Sequence, residues 1–151
     1  MLDDVDRRIL RQWQADPSLV PSELAERAGI SAAQLTRRVG RMQDTGVLGG
    51  VEAVIDWAAL GYTVEVSLRI TLDKTQSNAF DEVISGARDI PEVLEIQTFL
   101  GRVDLRLNVI ARDMAHYQHV YRTRILTLPH IADIEALMQV ARIKSEEALP
   151  L

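Results

Sequence analysis

The chain has 151 residues, a formal net charge of −5, 47% hydrophobic and 26% charged residues, and no cysteine. That composition suits a globular protein with one good core or two small ones, and the missing thiols exclude disulfides, thiolate metal sites and cysteine nucleophiles. No run approaches the ~20 apolar residues that span a membrane, and Met-Leu-Asp-Asp is no signal peptide, so a cytoplasmic location without a membrane partner is expected.

Charge is unevenly spread. Residues 1–46 hold seven arginines against seven acids, whereas the remainder holds ten Lys or Arg against fifteen acids. The acidity therefore belongs to the second half.

Leu2–Gln14 reads as an amphipathic helix, with Leu2, Val5, Ile9 and Trp13 at helical spacing and Asp3 placed to cap. Asp16-Pro17 breaks it. Pro21 opens a second helix, because its fixed φ and missing N–H suit a first turn, and Leu24, Ala25 and Ala28 share one face. Gly29 then ends that helix. Ser31 begins a third, with Gln34 positioned to complete a capping box.

Along this third helix Leu35, Val39 and Met42 turn inward, leaving Gln34, Thr36, Arg37, Arg41 and part of Arg38 toward solvent. Two short helices joined by a glycine turn, the second with outward Arg, Gln and Thr, form the layout in which the second helix enters the DNA major groove. An ordinary helical hairpin with solvated arginines fits the same residues. Ser31–Asp44 carries three arginines against one aspartate, a modest patch that calls for several copies acting together. Gly40, in mid-helix, costs about 1 kcal/mol relative to alanine unless it permits close packing.

Residues 47–56, VLGGVEAVID, are β-prone around Gly49-Gly50 and predict a small hairpin, or wing. From Gly61 the period becomes two: Tyr62, Val64, Val66, Leu68, Ile70 and Leu72 alternate with polar residues in a long strand. Residues 75–88 return to helical spacing. Val93–Leu100 and Val103–Ala111 predict a hairpin meeting at Gly101-Arg102; Asp113 caps a helix running to Leu128; Ile131–Lys144 alternates as a final strand. The order β-α-β-β-α-β predicts a ferredoxin-like domain, a four-stranded antiparallel sheet with both helices on one face. Phe99, Leu137 and Ile143, on the other phase of their strands, suggest that a second subunit covers the open face.

The residues LDDVDRRIL at 2–10, ELAERAGIS at 23–31 followed by Arg38, Arg41 and Gly46, Leu60-Gly61-Tyr62, Gly101-x-x-Asp104, Leu128-Pro129 and Lys144 together resemble the leucine-responsive and asparagine-C (Lrp/AsnC) regulator family. The likeness covers essentially the whole chain and implies an α+β protein. A winged helix-turn-helix at 1–50 would lead through a linker strand at 51–60 to a ferredoxin-like (RAM-type) sensor and dimerisation domain at 61–144, then a tail at 145–151. It implies double-stranded DNA as partner, held by Ser31, Gln34, Thr36, Arg37, Arg38 and Arg41. It further implies an amino acid or related metabolite as effector near Leu100, Gly101, Arg102, Val103 and Asp104 with Ile134 and Ala136, and a homodimer that can assemble into an octamer.

Departures from the family pattern are Val20 where a Ser or Thr cap is common, Leu100 where a Thr often stands, and Ile134 and Ala136 at threonine positions. The last three remove hydroxyls from the expected pocket. Asp104 could recognise a ligand amine or pin its own hairpin. His116 and His119 stand at i, i+3, but without further ligands no metal is expected, and no cofactor either. Trp13 and Trp57 read as packing residues. No phosphate loop or nucleophile motif appears, so an enzyme is not expected. The alternatives to an effector-responsive regulator are a ligand-independent architectural DNA-binding protein and a small ferredoxin-like metabolite-binding module or enzyme.

Overall fold

The computed structural model describes residues 1–145 and 148–151; Glu146 and Glu147, within the expected tail, lie outside the described residues. The chain divides into two compact units, Met1–Val54 together with Lys144–Leu151, and Ile55–Ile143.

The first unit is built on α1 (Asp4–Ala15), α2 (Pro21–Ala28) and α3 (Ala32–Asp44). Local chemistry sets their ends. Asp3 and Asp6 form a reciprocal capping box at the start of α1, and Ser31 and Gln34 form another at the start of α3. Val20 gives α2 no side-chain cap, leaving Pro21 to start it, and Gly29 closes it at φ 69°. The apolar stripes meet in one core of Ile9, Leu19, Leu24, Ala25, Ala28, Leu35 and Met42, with Val5, Trp13 and Val39 packed around it. Leu149 and Leu151 join this unit through α1: Gln14 Nε2 donates to the Leu149 carbonyl at 2.6 Å, Leu149 N donates back to Gln14 Oε1 at 2.9 Å, and Arg11 Nε donates to Leu151 O at 2.8 Å.

The expected wing does not form: no residue between 47 and 56 lies in a strand. Two short arms around Gly49-Gly50 have no third strand to pair with in this chain, and an isolated hairpin is marginal in water. The Leu48 N–H returns to Met42 O at 3.0 Å, while Val51, Val54 and Ile55 stay exposed. The expected linker strand at 51–60 is likewise unpaired here.

The second unit contains β1 (Val64–Leu72), α4 (Ala79–Arg88), β2 (Val93–Thr98), β3 (Leu105–Ala111), α5 (Met114–Val120) and β4 (Ile131–Met138). Its sheet runs in the order β2-β3-β1-β4, every neighbouring pair antiparallel. Val66, Leu68, Ile70 and Leu72 of β1 and Leu105, Leu107 and Val109 of β3 pack under Val83, Ala87, Tyr117, Val120 and Ile125. This is the expected βαββαβ arrangement.

Several elements are shorter than expected. The second long helix gives way after Val120 to a π turn over Tyr121–Ile125, with Leu126 N on Tyr121 O. Thr123 and Thr127 both turn their hydroxyls back on carbonyls of the preceding turn, at 2.7 and 3.1 Å, a habit that bends helices. β2 ends at Thr98 and β3 begins at Leu105. β4 stops at Met138.

The open face is more polar than expected. Leu137 stands there opposite Ser67, flanked by Glu65 and Arg69, and Arg106, Asn108, Glu95 and Glu135 share the face, while Phe99 and Ile143, the other apolar residues expected to be covered, are exposed as Leu137 is. Glu65 accepts from Asn108 Nδ2 at 3.0 Å and from Arg142 Nη2 at 3.1 Å. Arg106 Nη2 reaches Glu95 at 3.1 Å, while its Nε is shielded from solvent without a hydrogen-bond partner. No helix among the described residues is long and apolar enough to cross a membrane.

Gly40 packs closely against nothing: a Cβ there would meet no atom within 4 Å, and it borders a cleft of about 290 Å³ walled by Trp13, Leu24, Leu35 and Val39. Gly40→Ala should therefore stabilise the first unit by about 1 kcal/mol, raising its melting temperature by about 4–8 °C. Gly101, at φ 148°, should respond in the opposite sense, Gly101→Ala costing about 1–3 kcal/mol. Thermal unfolding of the two variants checks both signs.

Candidate functional site

The exposed side of α3 contains the residues expected to meet DNA, but they are not equivalent. Ser31 and Gln34 are engaged in the capping box: Ser31 Oγ accepts from Gln34 N at 3.2 Å, and Gln34 Oε1 from Ser31 N at 3.1 Å. Both remain exposed. Thr36 donates its hydroxyl to Ala32 O at 3.1 Å.

The arginines split into two kinds. Arg38 Nη1 lies 2.7 Å from Asp3 Oδ2 and 2.8 Å from Asp6 Oδ1. Arg41 Nη2 pairs with the other oxygen of Asp6. Asp6 is wholly buried and also accepts the Asp3 N–H at 3.1 Å, so its carboxylate is satisfied on both oxygens. Arg37 is exposed and makes no ion pair among the described residues. The three guanidiniums border a cleft of about 180 Å³.

Charge explains the split. Removing one partner of a buried ion pair strands the other, at about 3–5 kcal/mol, so Arg38 and Arg41 are held to α1 by Asp6 far more firmly than exposed ion pairs would hold them. The Asp6 N–H, followed by the Arg38 guanidinium, lowers the Asp3 carboxyl to about 2, and Arg38 is raised by Asp3 first and Asp6 second. The four charges of Asp3, Asp6, Arg38 and Arg41 cancel. Arg41, expected as a groove contact beside Arg37, is thus half committed to the fold; Arg38 is the structural link that sequence allowed it to be. Asp6 itself was missed, since it lies 32 and 35 residues from its partners and looks like one more acid in a helix's first turn.

The expected effector residues lie around the β2–β3 loop and on β4. Leu100 is fully exposed and Arg102 exposed, with the Arg102 carbonyl accepting from Thr71 Oγ1 at 3.2 Å. Val103 is half-buried. Ile134 and Ala136 stand opposite Ile70 and Leu68, which places them on the helix side of the sheet; Ile134 packs on the core while Ala136 is exposed. Asp104 does not face outward for a ligand amine. It is 2% exposed, its Oδ2 accepts from Leu72 N at 2.8 Å, and its Oδ1 meets Lys74 Nζ at 2.7 Å. The carboxylate pins the loop to the end of β1.

His116 and His119 do not converge: His116 Nδ1 accepts from Arg112 N at 3.1 Å, turning Nε2 toward Glu92 at 3.2 Å. Among the described residues no group of three or more His, Cys, Asp or Glu could hold a metal ion.

Burial alone would raise the Asp104 carboxyl, but the Lys74 ammonium and the Leu72 N–H outweigh it and hold its pKa below the ordinary 3.8. A pKa lowered by folding contributes stability that is complete above 3.8 and is lost as pH falls through the lowered folded value. Asp104→Asn should cost about 1–3 kcal/mol at neutral pH. Melting curves from about pH 5 down to about pH 2.5 should also fall less steeply for this variant than for the parent.

Comparison with known proteins agrees with this geometry. Residues 2–43 match the AsnC-type helix-turn-helix domain and residues 65–149 the Lrp/AsnC ligand binding domain. The chain is 30% identical over 132 residues to the proline dehydrogenase transcriptional activator of Rhodobacter capsulatus, covering 87% of this chain and 86% of that one. It is 30% identical over 144 residues to a leucine-responsive regulatory protein of Rhizobium meliloti, covering 95% and 92%. Among solved structures, a transcriptional regulator of Neisseria meningitidis in complex with L-Met matches at TM-score 0.91 and 25% identity, covering 99% of this chain and 97% of that one. Escherichia coli AsnC matches at TM-score 0.87 and 25% identity, covering 97% of each. These relatives are regulators rather than enzymes, and with both halves matched in chain order the chain belongs to the Lrp/AsnC family of helix-turn-helix transcription regulators.

Proposed function

We propose that this regulator reads duplex DNA with α3, using Arg37 as its principal groove contact, and that an apolar amino acid bound at the second unit modulates it. The observation that carries the first part is the division of the arginines: Arg38 and Arg41 are tied to Asp3 and Asp6, leaving Arg37 as the α3 cation without an ion pair among the described residues. Gln34 and Thr36 stand beside it on the exposed side, with Ser31 and the Arg41 edge flanking them. A bidentate arginine on guanine contributes about 1–3 kcal/mol of base discrimination. One such contact per head is too little for specific affinity, which supports binding by a homodimer or by the octamer the family resemblance implies.

The effector reading rests on the residues around the β2–β3 loop. Leu100, Val103 and Ile134 offer apolar surface, and Asp104 is consumed by its own loop. An apolar side chain suits that lining, as does the L-Met bound by the Neisseria regulator. The ligand's charged groups would then fall to backbone N–H groups near Gly101 and to Arg102. The head at 1–50, linker at 51–60 and sensor at 61–144 would divide this work, in the cytoplasm with the DNA.

Arg37→Ala should weaken binding to a duplex recovered by selection from random DNA by about tenfold to a hundredfold at fixed salt, with the melting temperature unchanged; undiminished binding would contradict the groove role. For the effector, an apolar amino acid at a hundred times its Kd should stabilise the protein by about 2.7 kcal/mol. No thermal shift with any amino acid at millimolar concentration would contradict it.

A further inference from the structure

We infer that Asp6 is a specificity-determining residue, which holds two of the three recognition-helix guanidiniums away from general phosphate binding. The inference rests on α3 reading DNA and adds a residue that never needs to touch it.

The geometry is that of an internal counter-ion. Asp6 is 0% exposed, and its two oxygens take Arg38 at 2.8 Å and Arg41 on the other side, while Asp3 takes Arg38 again at 2.7 Å. A DNA phosphate offers an arginine the same partner that Asp6 offers, an anion with paired oxygens. Here that partner is already present and dry, so a phosphate gains Arg38 or Arg41 only by stranding a buried carboxylate or by sharing the outer N–H groups of the half-exposed Arg41.

Sequence-independent affinity grows with the number of phosphates that cations neutralise, through released counterions. By withholding two cations, Asp6 lowers this term wherever on DNA the protein lands. Base reading through Arg37 is left untouched. Asp6 also fixes where α3 lies on α1, because Arg38 and Arg41 are about one helical turn apart on α3 and both must meet one carboxylate. The net effect is a wider gap between the right sequence and any other.

The test is Asp6→Asn, which keeps the shape and an oxygen for the Asp3 N–H but removes the charge. Binding of the full chain to a random-sequence duplex and to a selected duplex is followed across a salt series, with thermal unfolding in parallel. For the random duplex, log affinity against log salt should steepen by about 0.9 for each guanidinium released. Affinity for that duplex should rise roughly tenfold near 0.1 M salt, and the ratio of selected to random affinity should fall. A role in folding alone would weaken both duplexes together and leave the slope where it was. An unchanged slope and ratio in folded Asp6→Asn overturns the inference while leaving the Arg37 reading intact, which Arg37→Ala tests separately. If Asp6→Asn does not fold, Arg41→Gln decides. The amide keeps a donor for Asp6 but removes the cation, so the random-duplex slope should stay where it is. A slope shallower by about 0.9 would show Arg41 neutralising a phosphate and overturn the inference.

Discussion

One buried carboxylate organises the first unit. Taking Asp6 out of water costs several kcal/mol, and the penalty is met by two guanidiniums and a backbone N–H that leave neither oxygen unpaired. The same residue works locally and at long range. Within α1 it completes the capping box with Asp3, where the helix dipole favours acids; across the fold it decides which arginines of α3 are free. Helix capping, core packing and the electrostatics of DNA recognition thus converge on a single side chain.

The second unit repeats the device. Asp6 and Asp104 are the two buried charged residues among those described, and each ties down a segment proposed to meet a partner. Asp104 draws the β2–β3 loop onto Leu72 and Lys74, leaving Leu100 and Arg102 outside. In both units the surface proposed for contact is shaped by an acid that is not itself available. An aspartate near a proposed site is therefore a poor candidate for contact until its partners are known.

Much of this was readable in the chain. Capping boxes act over three residues, glycine at a helix end acts over one, and apolar periodicity acts over a turn or a pleat, so α2, α3 and the βαββαβ order follow from short windows. What escaped depends on distance in sequence or on the absence of a partner. Arg38 and Arg41 could be placed on the solvent side of α3, but that Asp6 would claim them required the packing of α1 on α3. The wing over 47–56 looked β-prone because intrinsic preference says nothing about whether a third strand is available. Leu137 suggested an apolar open face, yet its cross-strand partner is Ser67, with Glu65 and Arg69 to either side on β1, and only the register shows that. The π turn after Val120 came from threonine hydroxyls competing for carbonyls, a local effect hidden under a regular apolar spacing.

The central claim is that Arg37 engages DNA while Arg38 and Arg41 stay on Asp6. Guanidinium nitrogen NMR on arginine-labelled protein, recorded free and bound to a selected duplex, reads the three side chains individually. The account predicts that the Arg38 resonance, and the Arg41 N–H facing Asp6, remain protected and nearly unshifted while Arg37 shifts and becomes protected on binding. Release of Arg38 and Arg41 from Asp6 in the complex, with Arg37 left mobile, would contradict it.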